Sequence, residues 1–174
     1  MRIVHVTNEP FGLQMASGVQ HAVFCLARAQ ADLGESVTLF TRDDQAVHVL
    51  GNQDSPAAKR QPARAANRSW RERLLFRYFE PRLTDDVLAS RPDFVHFHSI
   101  HMPENAVLAA SLRRAGIPYC VTVHGGLFRA ALRRRWVKKT LFSACFERRY
   151  LNEAQFIHVL SPQEGEVVRR RGVK

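Results

Sequence analysis

The residues of this chain best suited to chemistry are three closely spaced histidines and a fourth further along the chain. They are His96, His98 and His101 in DFVHFHSIH and His124 in TVHGG. An imidazole can bind a metal ion, or it can hydrogen-bond a substrate and exchange a proton with it. Zinc needs three or four convergent ligands, and the segment from His96 to His101 contains no cysteine or carboxylate to complete a set. We therefore expect a polar crevice lining, or a hydrogen-bonded core histidine at position 96, and no metal.

Glycines stand beside two of the candidate sites. Gly125 and Gly126 follow His124 and allow backbone angles that leave room for a ligand. Near the start of the chain, NEPFGLQMASGVQ carries Gly12 and Gly18, and Ser17 begins an S-x-x-Q capping box. The free amides and the dipole of the helix that begins here would attract an anion, although an ordinary capped helix is the alternative. The stretch is not the G-x-G-x-x-G dinucleotide fingerprint.

The elements that must position these residues alternate between strand and helix patterns. The patterns predict strands at 2–7, 36–41, 46–50, 93–98, 118–124 and 155–160. They predict helices over 18–33, 69–90 with a kink or split at Pro81, 103–116, 128–150 and from Pro162, after an S-x-x-E capping box. This alternation predicts one Rossmann-like α/β domain over 1–174, with a doubly wound parallel sheet of about six strands.

In such a sheet, ligands bind at the carboxyl ends of the strands, where the strand order reverses. That rule selects the loops after the first, fourth and fifth strands, which carry the glycines and histidines above. His96 and His98 point to the same face of the fourth strand. His124 follows the fifth strand, where it could hydrogen-bond a bound hydroxyl or orient a reacting group, or simply occupy a tight turn.

The positive charge of the chain is local. The net charge is +10, whereas residues 59–77 and 127–139 each carry +6, so the remainder is about −2. Local patches indicate an anionic partner. The second stretch supplies the candidate anion patch: Arg129, Arg133, Arg134, Arg135, Lys138 and Lys139.

The apolar runs, the start of the chain and the cysteines indicate the cellular compartment of the protein. No apolar run approaches the roughly 20 residues of a membrane-spanning helix. The start MRIVHVTNEP moves directly into a strand pattern without the apolar core of a signal peptide. The three cysteines are odd in number and far apart, which favours reduced, mostly buried thiols. We expect a cytoplasmic protein.

Several stretches, taken in order, resemble the N-terminal domain of family 4 glycosyltransferases. They are MRIVHV, LARAQADLGESVTLFTR, RPDFVHFHS, AGIPYCVTVHGGL, ERRYLNEAQFIHVLSPQEGEVV and RRGV. The resemblance implies half of a GT-B fold in a retaining enzyme, with the active site between two Rossmann-like domains. The N-terminal domain would mainly bind the acceptor, and the C-terminal domain most of the nucleotide sugar. The expected second domain is absent from these 174 residues, so we expect little activity from them alone.

The resemblance also implies roles for particular residues. Gly18 and its neighbours would approach the donor diphosphate, although many members have Gly-Gly where this chain has Ser17-Gly18. His124 matches the histidine of a T-x-H-G stretch near the transferred sugar and is the catalytic candidate. His96 and His98 match a V-H-x-H strand end that lines the cleft. The family needs no metal and no cofactor beyond its nucleotide-sugar substrate.

The basic stretches also fit the resemblance. Many members act on lipid-linked acceptors in polysaccharide, lipopolysaccharide or glycolipid assembly and dock on anionic membranes, here the inner face of the plasma membrane. A binding-only module that holds an acceptor or a membrane is the alternative to a transferase. Nucleic-acid binding is a weaker alternative, because the chain shows no recognised motif and its aromatic residues lie at core spacings.

Overall fold

The computed structural model describes residues 1–7, 17–41, 47–50, 81–126 and 147–173. Its strands are β1 (Arg2–Thr7), β2 (Ser36–Thr41), β3 (Val47–Leu50), β4 (Phe94–His98), β5 (Tyr119–Thr122) and β6 (Phe156–His158). Its helices are α1 (Gly18–Asp32), α2 (Pro81–Ala89), α3 (Pro103–Arg114), α4 (Arg148–Asn152) and α5 (Pro162–Arg170). The alternation of strands and helices confirms the predicted α/β, Rossmann-like class.

The chain forms two compact units, Met1–His96 and Phe97–Lys174, and the boundary falls inside β4. In the first unit the strand order is β3-β2-β1-β4. β1 and β2 pair in parallel, with Arg2 opposite Ser36 at one end. α1 connects these two strands, which is the crossover that a parallel pair requires.

One face of α1 forms the core of the first unit. Ala27 and Ala31 are four residues apart, so they lie on the same side of the helix, and both are buried. They form a cluster with Ile3 of β1 and Val37 of β2. Small side chains on the helix and branched ones on the strands let the two layers approach closely and exclude water.

β3 is the exception to the predicted parallel sheet, because it pairs with β2 in the antiparallel direction. Only five residues separate Thr41 from Val47, whereas a parallel connection needs a dozen or more. The short connection therefore forces the chain to reverse. This outcome was available from the predicted strand bounds, since they already left no room for a crossover helix.

In the second unit the order is β4-β5-β6, with β5 and β6 paired in parallel. Aromatic rings fill the core here. The Tyr119 hydroxyl donates a hydrogen bond of 2.6 Å to the carbonyl oxygen of Tyr150, which ties β5 to α4. The ring of Phe97 lies edge-on to Tyr119, with centroids 5.5 Å apart. Burial raises the pKa of both tyrosines, so their hydroxyls stay protonated.

Sequence signals at helix ends are confirmed where the structure describes them. Gly34 and Gly116 follow α1 and α3 with φ values of 90° and 70°, the left-handed conformation that commonly ends a helix. Pro103 begins α3, as expected of a residue without an N–H group. Pro81 is the first described residue of α2, and the residues before it lie outside the described part of the chain, so the predicted kink or split there stays a prediction.

Several predictions lie outside the described residues. They include Gly12, most of the predicted helices over 69–90 and 128–150, and both basic stretches with all six residues of the anion patch. Among the helices that are described, none is long and apolar enough to cross a membrane.

Ser161 caps α5, and its removal provides a test of the fold. Its hydroxyl accepts a 3.2 Å hydrogen bond from the backbone N–H of Glu164. We expect Ser161→Ala to lower the free energy of unfolding by about 1 kcal/mol, because a first-turn N–H loses its acceptor. Urea unfolding followed by circular dichroism measures the change. Ser111→Ala within α3 is the matched control and should not destabilise, since alanine favours a helix interior. Equal losses from both would contradict the cap.

Candidate functional site

His5 is a buried histidine of the first unit that the sequence analysis did not single out. Its Nε2 lies 2.6 Å from Oε1 of Gln30, and its ring centroid lies 5.2 Å from that of His96. Burial lowers the pKa of His5 to about 4, and the hydrogen bond to Gln30 only partly opposes this effect. His5 is therefore neutral at pH 7 and donates through Nε2. A histidine inside the otherwise apolar strand RIVHVT was the signal that could have identified it.

His5 adds a further imidazole to the histidines that could bind a metal ion. The buried rings of His5 and His96 in the first unit could each offer one nitrogen to a metal ion, as could that of His98 in the second. However, this set contains no thiolate or carboxylate, and two of its members already use a ring nitrogen. His5 bonds Gln30, and His98 bonds His124. These bonds use one nitrogen of each ring and leave the other nitrogen able to bind a metal ion, so the expectation of no metal stays a prediction.

His98 and His124 form a hydrogen-bonded pair in the second unit. Nδ1 of His98 lies 3.2 Å from Nε2 of His124, so one ring must donate and the other accept. His98 is buried, with 2% of its surface exposed, and its packing therefore restrains the ring of His124. Burial lowers the pKa of His124; the negative charge of Glu164 raises it, and His158 lowers it further. A neutral ring at pH 7 follows.

The turn after His124 explains the two glycines. Gly125 has a φ of 71°, which favours glycine. A Cβ on Gly126 would lie 2.7 Å from Cγ1 of Ile100 and 3.1 Å from the carbonyl oxygen of Val123. Glycine is thus favoured at position 125 by the positive φ, and at position 126 by the close approach of Ile100 and Val123. Their predicted contact with a sugar stays a prediction.

His101 is turned towards protein groups on both sides of its ring. Nε2 lies 3.1 Å from the carbonyl oxygen of Gly126 and donates to it. Nδ1 lies 3.0 Å from a carboxylate oxygen of Glu147, a residue that is completely buried and also accepts the backbone N–H of His101. His101 therefore ties the loop after β4 to the loop after β5. This arrangement favours a structural role over the predicted substrate contact.

Backbone strain is concentrated in these two loops. Ser99, His101 and His124 have φ values of 97°, 63° and 47°. Side chains with a Cβ rarely adopt such angles, and each costs about 1–3 kcal/mol unless the surroundings compensate. Asn105 contributes by donating a 3.2 Å hydrogen bond to the carbonyl oxygen of Ser99. Strain of this kind clusters at functional sites, and here it coincides with the carboxyl ends of β4 and β5.

The N-terminus of α1 has the predicted capping box. Ser17 Oγ accepts from the backbone N–H of Gln20, and the Gln20 side chain accepts from the backbone N–H of Ser17. A Cβ on Gly18 would meet no described atom within 4 Å, so packing does not require glycine there. The capping box uses the N–H groups of Ser17 and Gln20, so the other N–H groups of the first turn are the ones suited to an anion.

The predicted residues are thus divided between the two units. His98, His101, His124, Gly125 and Gly126 come together in the second unit, whereas His96 lies beside His5 in the first, which also contains Ser17 and Gly18. Glu147 and His158 were missed, and Glu164 was noted only as part of a capping box. Thr122 and His158 bond at 3.0 Å, through Oγ1 and Nδ1. No local pattern marks these residues, because their partners lie 36 to 46 positions away.

The family model for a glycosyl transferase 4-like domain matches residues 17–174. The chain belongs to this family. No curated protein matches the chain as a relative. The glycosyl transferase 4-like match includes every predicted site residue except Gly12, and β1 with His5 precedes it.

The metal prediction can be tested directly. We expect purified protein to contain no stoichiometric zinc, and a chelator to leave its melting temperature unchanged, because among the described residues no carboxylate or thiolate joins His5, His96 and His98 to complete a zinc site. Elemental analysis and thermal melting with and without the chelator measure both. His5→Gln should then leave the zinc content unaltered. One zinc per chain, lost with that substitution, would overturn the expectation.

Proposed function

We propose that this chain is the acceptor-side domain of a retaining glycosyltransferase, which moves a sugar from a nucleotide-sugar donor to a glycan or lipid-linked acceptor. The observation that supports it most is His124, held in a strained turn at the carboxyl end of β5 within a glycosyl transferase 4-like domain. In parallel α/β sheets, that end of the strands is where ligands bind.

His124 has the protonation state that a sugar contact requires, and among the described residues the hydrogen bond to His98 is the only one that its ring makes. Burial lowers its pKa, so the ring is neutral at pH 7 and one nitrogen donates while the other accepts. Nε2 is taken by His98, and Nδ1 is therefore the nitrogen that a sugar hydroxyl would meet. The role of His124 is to orient the donor sugar so that its anomeric carbon faces the acceptor oxygen.

The reaction exchanges one bond of the anomeric carbon for another. The bond to the diphosphate oxygen breaks and the diphosphate leaves with the electron pair, while the acceptor oxygen forms the new bond and its hydroxyl proton passes to the departing diphosphate. Negative charge therefore develops on the diphosphate. The N-terminus of α1, with Ser17 and Gly18, supplies backbone N–H groups and a positive dipole end suited to that charge.

The nucleotide-sugar domain completes the proposed enzyme. Transfer would need the nucleotide held by that domain and the acceptor held by this one, so both halves belong in any assay. The donor sugar, the acceptor and the linkage are then determined by trial: UDP- and GDP-linked hexoses as donors, and lipid-linked saccharides as acceptors.

His124→Ala tests the proposed catalytic role. With the nucleotide-sugar domain fused, we expect transfer to fall by about 10²-fold or more, the scale for a positioned group that acts in the transition state. The melting temperature should remain close to that of the wild type. His21→Ala, which removes a histidine from the exposed side of α1, is the control and should keep full activity. A well-folded His124→Ala enzyme with near-normal turnover would exclude the role.

The basic stretches support a further part of the proposal, docking on an anionic membrane surface where lipid-linked acceptors reside. Each stretch carries +6, and a polybasic segment gains about 1 kcal/mol per Lys or Arg near such a surface. Association of this kind is peripheral, and it weakens as salt screens the charges.

Vesicle binding tests the docking. We expect the chain to sediment with vesicles that contain anionic lipid and not with neutral ones, and the binding to weaken as salt rises. Charge reversal at Arg133, Arg134 and Lys138 should reduce it. Reversal at three exposed basic residues elsewhere is the matched control: Arg169, Arg170 and Arg171. Equal losses would assign the effect to total charge, and equal binding to neutral vesicles would show that charge is not the cause.

A further inference from the structure

Glu164 makes contacts that its predicted capping role does not explain. In a capping box its side chain would return to the backbone N–H of Ser161. Instead, Oε2 accepts a 2.7 Å hydrogen bond from the N–H of Leu160, and Oε1 accepts one from the N–H of Gly125. The side chain is buried, with 2% of the residue exposed. The predicted S-x-x-E box is therefore only half formed.

The contact with Gly125 acts on the catalytic candidate. The N–H of Gly125 belongs to the peptide unit that follows His124, and both residues have positive φ values, 47° and 71°. The orientation of that peptide sets the direction in which His124 leaves the backbone. A carboxylate that accepts its N–H holds the orientation, because a charged acceptor forms a stronger hydrogen bond than a neutral one.

The same carboxylate contributes charge near the imidazole. Among the described residues, the titratable groups that face His124 are Glu164 from α5, His158 from β6 and His98 from β4. Burial lowers the pKa of His124, and Glu164 opposes that lowering. Glu164 thus limits how far burial disfavours the protonated ring.

A purely structural cap would not need this geometry. Ser161 already supplies the cap of α5 through its hydroxyl. Glu166, two residues further along the helix, is exposed and pairs with Arg170 at 2.6 Å, as an ordinary surface carboxylate does. Of these two acidic residues, only Glu164 reaches across to the turn after β5.

We propose that Glu164 is a positioning residue for His124, which holds the His124–Gly125 peptide in its left-handed turn and places a negative charge beside the imidazole. Its catalytic consequence rests on the proposed function, whereas its effects on the turn and on the ring can be measured without any substrate.

Three variants distinguish the effect of the charge of Glu164 from the effect of where its carboxylate oxygens lie. Glu164→Gln removes the charge and offers one acceptor oxygen where two N–H groups need one each. Glu164→Asp keeps the charge on a shorter side chain. Glu166→Gln makes the same chemical change as the first variant on the exposed side of the helix. The readout is the pH titration of the His124 ring by nuclear magnetic resonance, with labelled histidine and the signal assigned by its loss in His124→Ala.

We expect Glu164→Gln to move the titration of His124 to lower pH, because the charge that favours the protonated ring is gone. Glu164→Asp should lie between this variant and the wild type, and Glu166→Gln should coincide with the wild type. A folded Glu164→Gln variant whose His124 titrates as in the wild type would overturn the proposal.

Hydrogen exchange in the unmodified chain keeps the proposal testable if a variant fails to fold. The N–H of Gly125 should exchange slowly despite its place in a turn, since Glu164 accepts it. Exchange as fast as that of an exposed loop amide would overturn the proposal.

Transfer assays add the catalytic consequence. With the nucleotide-sugar domain fused, Glu164→Gln should lower kcat by about 10²-fold, the scale of a misplaced reacting group, and Glu166→Gln should not. Wild-type activity with an unaffected Glu164→Gln enzyme would overturn the positioning role in catalysis. No transfer by the wild type would count against the proposed function alone, because the titration and exchange results still decide the role of Glu164 at the turn.

Discussion

His124 holds a left-handed backbone conformation, and the end of β5 depends on the contacts that keep it there. For a residue with a Cβ this conformation costs about 1–3 kcal/mol. Two polar contacts offset the cost: the ring bonds His98, and the following N–H bonds Glu164. The turn also needs glycine at position 126, because a Cβ there would lie 2.7 Å from Cγ1 of Ile100. The direction of the imidazole is thus set by its neighbours rather than by its own preference.

Two histidines with the same unusual backbone conformation serve different purposes in the second unit. His101 places both ring nitrogens against protein groups, the carbonyl of Gly126 and the buried carboxylate of Glu147. His124 uses one nitrogen on His98, and we propose that the other contacts a ligand. The first histidine therefore stabilises the loops, and the second is the proposed site of chemistry. Residue type and spacing alone could not distinguish them, because the difference lies in which partners the fold supplies.

Burial sets the charge at these sites. Desolvation disfavours the protonated imidazole, so the pKa values of His5 and His124 fall and both rings are neutral at pH 7. A neutral ring can donate and accept hydrogen bonds without the cost of burying a charge. In the proposed transferase, backbone N–H groups would attract the charged diphosphate of the donor, and the neutral histidine would contact sugar hydroxyls.

The sequence by itself determined the α/β class, the bounds of most described strands, the helix ends at Gly34 and Gly116 and the family. Periodicity, capping residues and motif order are local properties, and local physics decides them. The antiparallel direction of β3 departs from the predicted parallel sheet, although its five-residue connection already excluded a parallel crossover. Only the tertiary structure decided that the Glu164 carboxylate accepts the N–H of Gly125 in the turn after β5. It also decided that the Glu147 carboxylate accepts the backbone N–H of His101. Those contacts join residues 39 and 46 positions apart, and no local pattern encodes which partner a buried carboxylate will find once water is excluded.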